Sequence, residues 1–102
     1  MITLPANLRP STAPLAPAEL ALALTELPGW HGDTARIVLT VRPPDLWTLL
    51  ERVADAEAEL DHHTVVDLDV GTVTFALWTH VSDAVTEADL LLARRISDVV
   101  AG

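Results

Sequence analysis

The sequence predicts an α+β fold of two layers, an antiparallel four-stranded sheet with helices on one face, in the order α-ββ-α-ββ-α. Three observations carry this. The stretches "ARIVLTVR", "VVDLDV" and "TVTFALWTH" alternate apolar and polar residues with the period of a strand that has one buried face. Stretches opening at Pro17, Asp45 and Thr86 repeat their apolar residues at helical spacing. The strands come in pairs with a helix between the pairs, which suits an antiparallel sheet whose helices share one side.

Residues 1–16 carry Pro5, Pro10 and Pro14 and show no helical period. Proline lacks an N–H and biases its predecessor towards extended forms, so an extended or flexible arm is expected there. The domain proper should occupy 17–102. "PAELALALTELPGW" reads as the first helix, with Pro17 in the first turn, Leu20, Leu24 and Leu27 on one face, and Pro28-Gly29 as the stop. Trp30, next in line, belongs in the core. A stub of strand and a turn at Gly32 follow. In "ARIVLTVR", Ile37, Leu39 and Val41 face one way until Pro43-Pro44 ends the strand.

Asp45 can cap the second helix, whose apolar stripe is Leu46, Leu50, Val53 and Leu60; Thr48, Glu51, Arg52, Asp55 and Glu59 form its wet face. That helix should end near Asp61. Val66, Leu68 and Val70 share a face of the third strand, Gly71 turns the hairpin, and Val73, Phe75 and Leu77 point from the fourth strand towards the helices. Thr86-x-x-Asp89 reads as a capping box with Asp in place of Glu, opening a last helix with Leu92, Ile96 and Val99 buried. Asp89 falls on that buried stripe, where the helix N-terminus favours an acid. The opposite sheet face, with Val38, Thr74, Ala76 and Trp78, is apolar enough to expect cover from another subunit.

Bulk properties narrow the function. The chain has 102 residues, the size of one domain, and no Cys, which removes disulfides and thiolate metal sites. A net charge of -9 argues against a nucleic-acid partner, because phosphates would be repelled. No apolar run approaches a membrane span and no secretory signal is visible, so a cytoplasmic protein is expected.

Three of the four histidines lie in "ELDHHTVVDLDVGTVTFALWTH". His62 and His63 precede the third strand and His80 closes the fourth, so all three belong to the same end of one hairpin. Antiparallel neighbours lie about 4.8 Å apart, which lets the imidazoles converge. Imidazoles titrate near neutrality and can give and take protons around a small substrate. A three-histidine metal site is the alternative, although adjacent residues on an extended segment point opposite ways and make it awkward. The remaining alternative is that the three are structural.

These residues resemble the pterin-4a-carbinolamine dehydratases. "LDHH", His80 and Asp89 match in type and spacing, as do "LPGW", "LWTH" and "TEADLLLARRIS", and the likeness runs from about Pro17 to Val100. The resemblance implies the fold above, assembled as a homodimer or homotetramer, and loss of water from 4a-hydroxytetrahydropterin to give quinonoid dihydropterin. It implies no metal and no organic cofactor. By position, His62 and His80 would be the catalytic acid/base pair, His63 would help hold the substrate, and Asp61 and Asp89 would orient imidazoles or contact the ligand. The chain departs from the family pattern at Ala58, where an acid is usual, at Thr64, where proline is usual, and at Val70, where an aromatic is usual. Ser82, Asp83 and Ala84 replace a run of small residues. Two other functions fit such departures: an enzyme on the same scaffold acting on a non-pterin molecule, and a non-catalytic oligomerisation or assembly partner.

Overall fold

The computed structural model describes residues 10–102. Residues 1–9, the first part of the expected arm, lie outside the described residues. The elements are α1 (Pro17–Leu24), β1 (His31–Gly32), β2 (Ile37–Val41), α2 (Leu46–Leu60), β3 (Val65–Asp69), β4 (Thr72–Leu77) and α3 (Glu87–Ala101). The strands form one antiparallel sheet in the order β1-β2-β4-β3. The fold class matches the sequence expectation.

The core lies between one sheet face and the helices. Ile37 and Leu39 of β2 and Val73, Phe75 and Leu77 of β4 supply the sheet side. Leu20, Leu49, Val53, Leu92 and Ile96 supply the helix side, and Trp30 is buried beside them, donating from its indole N–H to Ser97 Oγ at 2.8 Å. Strict alternation along β4 therefore has a simple cause: odd positions from 73 meet helices, even positions meet the open side.

Local chemistry sets the boundaries. In α1 the Ala16 N–H donates to the Glu19 carboxylate at 2.9 Å. The helix ends at Leu24, one turn earlier than its leucine spacing suggests. The N–H groups of Thr25, Glu26 and Leu27 then bond three residues back, so a tighter turn carries Leu27 into the core. Residues 10–16 form no helix or strand, but the Leu15 N–H donates to the Val85 carbonyl at 3.0 Å and its side chain packs on the core. Gly71 sits at φ 73 in the two-residue β3–β4 turn, a backbone region that β-carbons disfavour. Gly32 is more constrained still: a β-carbon there would stand 2.2 Å from the Arg36 carbonyl oxygen.

One expectation is corrected. The buried line of α2 is Leu49, Val53 and Ala56, with Leu46, Leu50 and Leu60 only partly covered. The helix carries apolar residues over more than one stripe, and packing, not period, chose the axis. Bare apolar surface also lies on the other face of the sheet, along its edge. Val38, Thr74, Ala76 and Trp78 are already half-buried within the chain. Val66 and Leu68 pair with Phe75 and Val73, so they face the helix side, yet they are 37% and 55% exposed. The helix layer does not reach across edge strand β3. Among the described residues no helix is long and apolar enough to cross a membrane.

Asp45 caps α2 as expected. Its carboxylate accepts from the Thr48 hydroxyl at 2.7 Å and the Thr48 N–H at 3.2 Å, and these bonds, the hydroxyl first, hold its pKa below the ordinary 3.8. Because folding lowers this pKa, the cap's contribution is complete above 3.8 and is lost as pH falls through the folded value. Thermal unfolding followed by circular dichroism should show Asp45→Ala melting below the parent at neutral pH, with the gap closing in acid. A gap that persists at the acid end would mean that the carboxylate charge is not what caps the helix.

Candidate active site

The end of α2 aims the histidine pair. Asp61 takes the left-handed conformation (φ 51, ψ 47), which Asp tolerates better than most residues. The His62 N–H then closes on the Glu57 carbonyl at 3.1 Å and the chain reverses into β3. Alternation on the extended segment sends the two rings apart. The His62 side chain is 16% exposed and turns inward; that of His63 is 86% exposed, with Nδ1 3.5 Å from the Glu57 carboxylate.

Inward from His62 lies Asp89, which is 0% exposed. Its Oδ1 is 2.6 Å from His62 Nε2. Its Oδ2 accepts from the Thr86 N–H at 2.8 Å and from the Thr79 hydroxyl at 2.9 Å. The Thr79 and Thr86 hydroxyl oxygens are 2.7 Å apart, so with the Thr79 proton directed at Asp89, Thr86 donates to Thr79. An unpaired buried carboxylate costs several kcal/mol. Hydrogen bonds to a charged group contribute about 1.5–3 kcal/mol each, so three of them offset a cost of that order. The start of α3 adds its positive end. No buried side-chain nitrogen or oxygen among the described residues lacks a partner.

His80 is the residue after Thr79, just beyond the end of β4. A tight loop holds this segment: the Thr79 N–H donates to the Ala84 carbonyl at 2.9 Å, and the Asp83 N–H to the His80 carbonyl at 3.2 Å. The arm touches it too, since Ser82 Oγ donates to the Thr12 carbonyl. His80 itself is exposed, with its ring 4.9 Å from that of Trp78, centre to centre.

Of the five residues singled out by sequence, His62 and Asp89 meet directly. His80 is tied to them through Thr79. His63 and Asp61 stand outside the Asp89 network and are exposed. Among the described residues, no three His, Cys, Asp or Glu side chains are grouped to hold a metal ion. Sequence reasoning missed Thr79 and Glu57. Thr79 carried a signal: it continues the 73, 75, 77 phase, so it is a polar residue on the buried face. Glu57 carried none, because it reads as one more acid on a wet helix. Its carboxylate accepts the Thr64 N–H at 2.9 Å, while the Thr64 hydroxyl donates to the Ala76 carbonyl at 3.0 Å. A separate cavity of about 280 Å³ lies at the other end of the sheet, lined by Val41, Arg42, Leu49, Arg52 and Val99 among others and by no histidine.

The family model described as pterin 4 alpha carbinolamine dehydratase matches residues 13–99. A Streptomyces coelicolor protein that carries the provisional name pterin-4-alpha-carbinolamine dehydratase is 40% identical over 93 residues, covering 87% of this chain and 92% of the relative. A Mycolicibacterium smegmatis protein with the same provisional name is 35% identical over 91 residues, covering 86% and 97%. A crystal structure from Brucella melitensis, described as a transcriptional coactivator/pterin dehydratase, superposes with a TM-score of 0.78 at 26% identity, covering 84% of this chain and 97% of that one. With a matching family model over most of its length and relatives of this similarity, the chain belongs to the pterin-4-alpha-carbinolamine dehydratase family.

Proposed function

We propose that this protein removes water from 4a-hydroxytetrahydropterin, giving quinonoid dihydropterin, with His62 and His80 as the acid/base pair. The observation that carries this is the buried Asp89 carboxylate on His62. As an acceptor for Thr79 and Thr86 on one oxygen, Asp89 takes the His62 Nε2–H on the other and leaves Nδ1 for the substrate. One imidazole protonates the departing 4a-hydroxyl, which leaves as water; the other accepts a ring-nitrogen proton, and the electron pair freed from that N–H bond closes the new C=N bond. In this reading His63 contacts the pterin, which its exposure beside Glu57 supports, and Asp61 lines the same turn. Asp89 acts through His62.

The reading is tested by following dehydration of 4a-hydroxytetrahydropterin against the uncatalysed rate. His62→Ala and His80→Ala should each slow turnover by roughly 10²- to 10⁴-fold while staying folded. The double variant should lose less than the product of the two, and His63→Ala should raise KM more than it lowers kcat. Full activity in both folded single variants would remove the histidines from the mechanism. No acceleration by the parent would remove the dehydratase reading and leave a non-pterin substrate or the coactivator role in the Brucella description, applied here, as the next readings.

Asp89→Asn isolates the positioning role. The amide keeps the shape but can turn a donor towards His62 Nε2, which disfavours the proton there. Turnover should fall by roughly 10²-fold, the lower end for losing a positioned acid or base. Wild-type turnover in a folded Asn variant would show that Asp89 only caps α3.

We further propose a homodimer or larger assembly. The support is edge strand β3, which among the described residues has a strand on one side only and whose Val66 and Leu68 are left uncovered. Light scattering at micromolar concentration should give at least twice the monomer mass; a monomer mass would sink this proposal.

A further inference from the structure

His80 has no hydrogen bond to either ring nitrogen among the described residues, and it is exposed. An imidazole in that setting samples its rotamers freely unless something else selects one. Among the described residues its one aromatic neighbour is Trp78, at 4.9 Å between centroids with 35° between planes. Trp78 and His80 flank Thr79 where the chain leaves β4 for the turn that opens at His80, and the contact between their rings puts them side by side. Trp78 is held in turn. The Arg36 guanidinium carbon lies 4.6 Å from the indole centroid. Arg36 immediately precedes β2, and Ile37 pairs with Leu77, so Arg36 and Trp78 are the next cross-strand neighbours. Arg36 makes no ion pair among the described residues, although the chain carries 15 acids against 6 basic residues. It lies instead over the indole face, a favourable arrangement for a cation.

We infer that Trp78 is a positioning residue for His80, and that Arg36 steadies the indole on which the imidazole rests. The inference rests on the reading of His80 as a member of the acid/base pair. The two halves of the site are then organised by different physics. His62 is set by a buried carboxylate; His80 is set by a three-membered stack, Arg36 on Trp78 beside His80, on the open sheet face. A positioning stack selects one of roughly three staggered side-chain wells, so removing it lowers the productive fraction by about three- to tenfold. That loss belongs in kcat, because nothing in the stack requires contact with substrate.

The test combines kinetics with a ring-current measurement. In the full-length protein at one fixed pH, the His80 ring protons, assigned by comparison with His80→Ala, should be shifted by the neighbouring indole. Trp78→Ala should abolish the shift and lower kcat by about three- to tenfold with little change in KM. Trp78→Phe, which keeps an aromatic face, should restore most of both, and Arg36→Met should give a smaller loss in the same direction. An unshifted His80 resonance in the parent, or one unmoved in a folded Trp78→Ala variant, would overturn the inference. So would a Phe variant as slow as the Ala variant while its ring-current shift is retained. If the parent fails to turn over any 4a-hydroxytetrahydropterin, the proposed function falls and the stack is decided by the resonance shifts alone.

Discussion

The buried carboxylate of Asp89 is the constraint around which this end of the molecule is arranged. It belongs to the first turn of α3, it accepts from the residue that precedes His80, and it receives the ring of His62 from the α2–β3 junction. The end of β4, the start of α3 and, from 27 residues away, the α2–β3 junction therefore meet at one carboxylate that could not be buried alone. The requirement is reciprocal. An ionised group at 0% exposure selects the arrangement of its partners as firmly as any apolar contact in the core.

The departures from the family pattern are partly explained by their neighbours. Proline after a histidine pair would carry no N–H; Thr64 carries one, in a part-buried position, and Glu57 accepts it. The acid missing at Ala58 is thus not simply lost from this corner, since the carboxylate one residue earlier binds the backbone there and lies near His63. Thr64 adds a side-chain bond to the Ala76 carbonyl and so stitches the entry of β3 to β4. Val70, at the hairpin tip and 91% exposed, touches none of this network, and nothing in the structure explains its replacement of an aromatic.

The sheet has two unlike halves. Its centre, β2 and β4, is covered by helices on one side and carries on its open side Arg36 over Trp78 and the paired hydroxyls of Thr40 and Thr74, 2.8 Å apart. Its edge, β3, is exposed at every residue. An edge that is both apolar and unpaired is costly to leave in water. The candidate site lies beside that edge, since His62, His63 and Thr64 lead directly into β3.

Much of this was legible in the chain itself. Alternation in β2 and β4, the cap at Asp45, the turn at Gly71 and the inward phase of Asp89 follow from periods and local hydrogen bonds that a few neighbouring residues decide. Those features fix the element order and place His62 and His80 at one end of a hairpin. The register of α2 did not follow, because Leu46, Leu49, Leu50, Val53, Ala56 and Leu60 span more than one stripe and only contact with α3 and the sheet selects among them. Nor did the identity of the partner for Asp89, or the roles of Thr79, Glu57 and Arg36. Sequence spacing determines which face a residue occupies; which group it meets there depends on how separate elements pack, and a hydrogen bond across 27 residues, as between His62 and Asp89, exists only once they have.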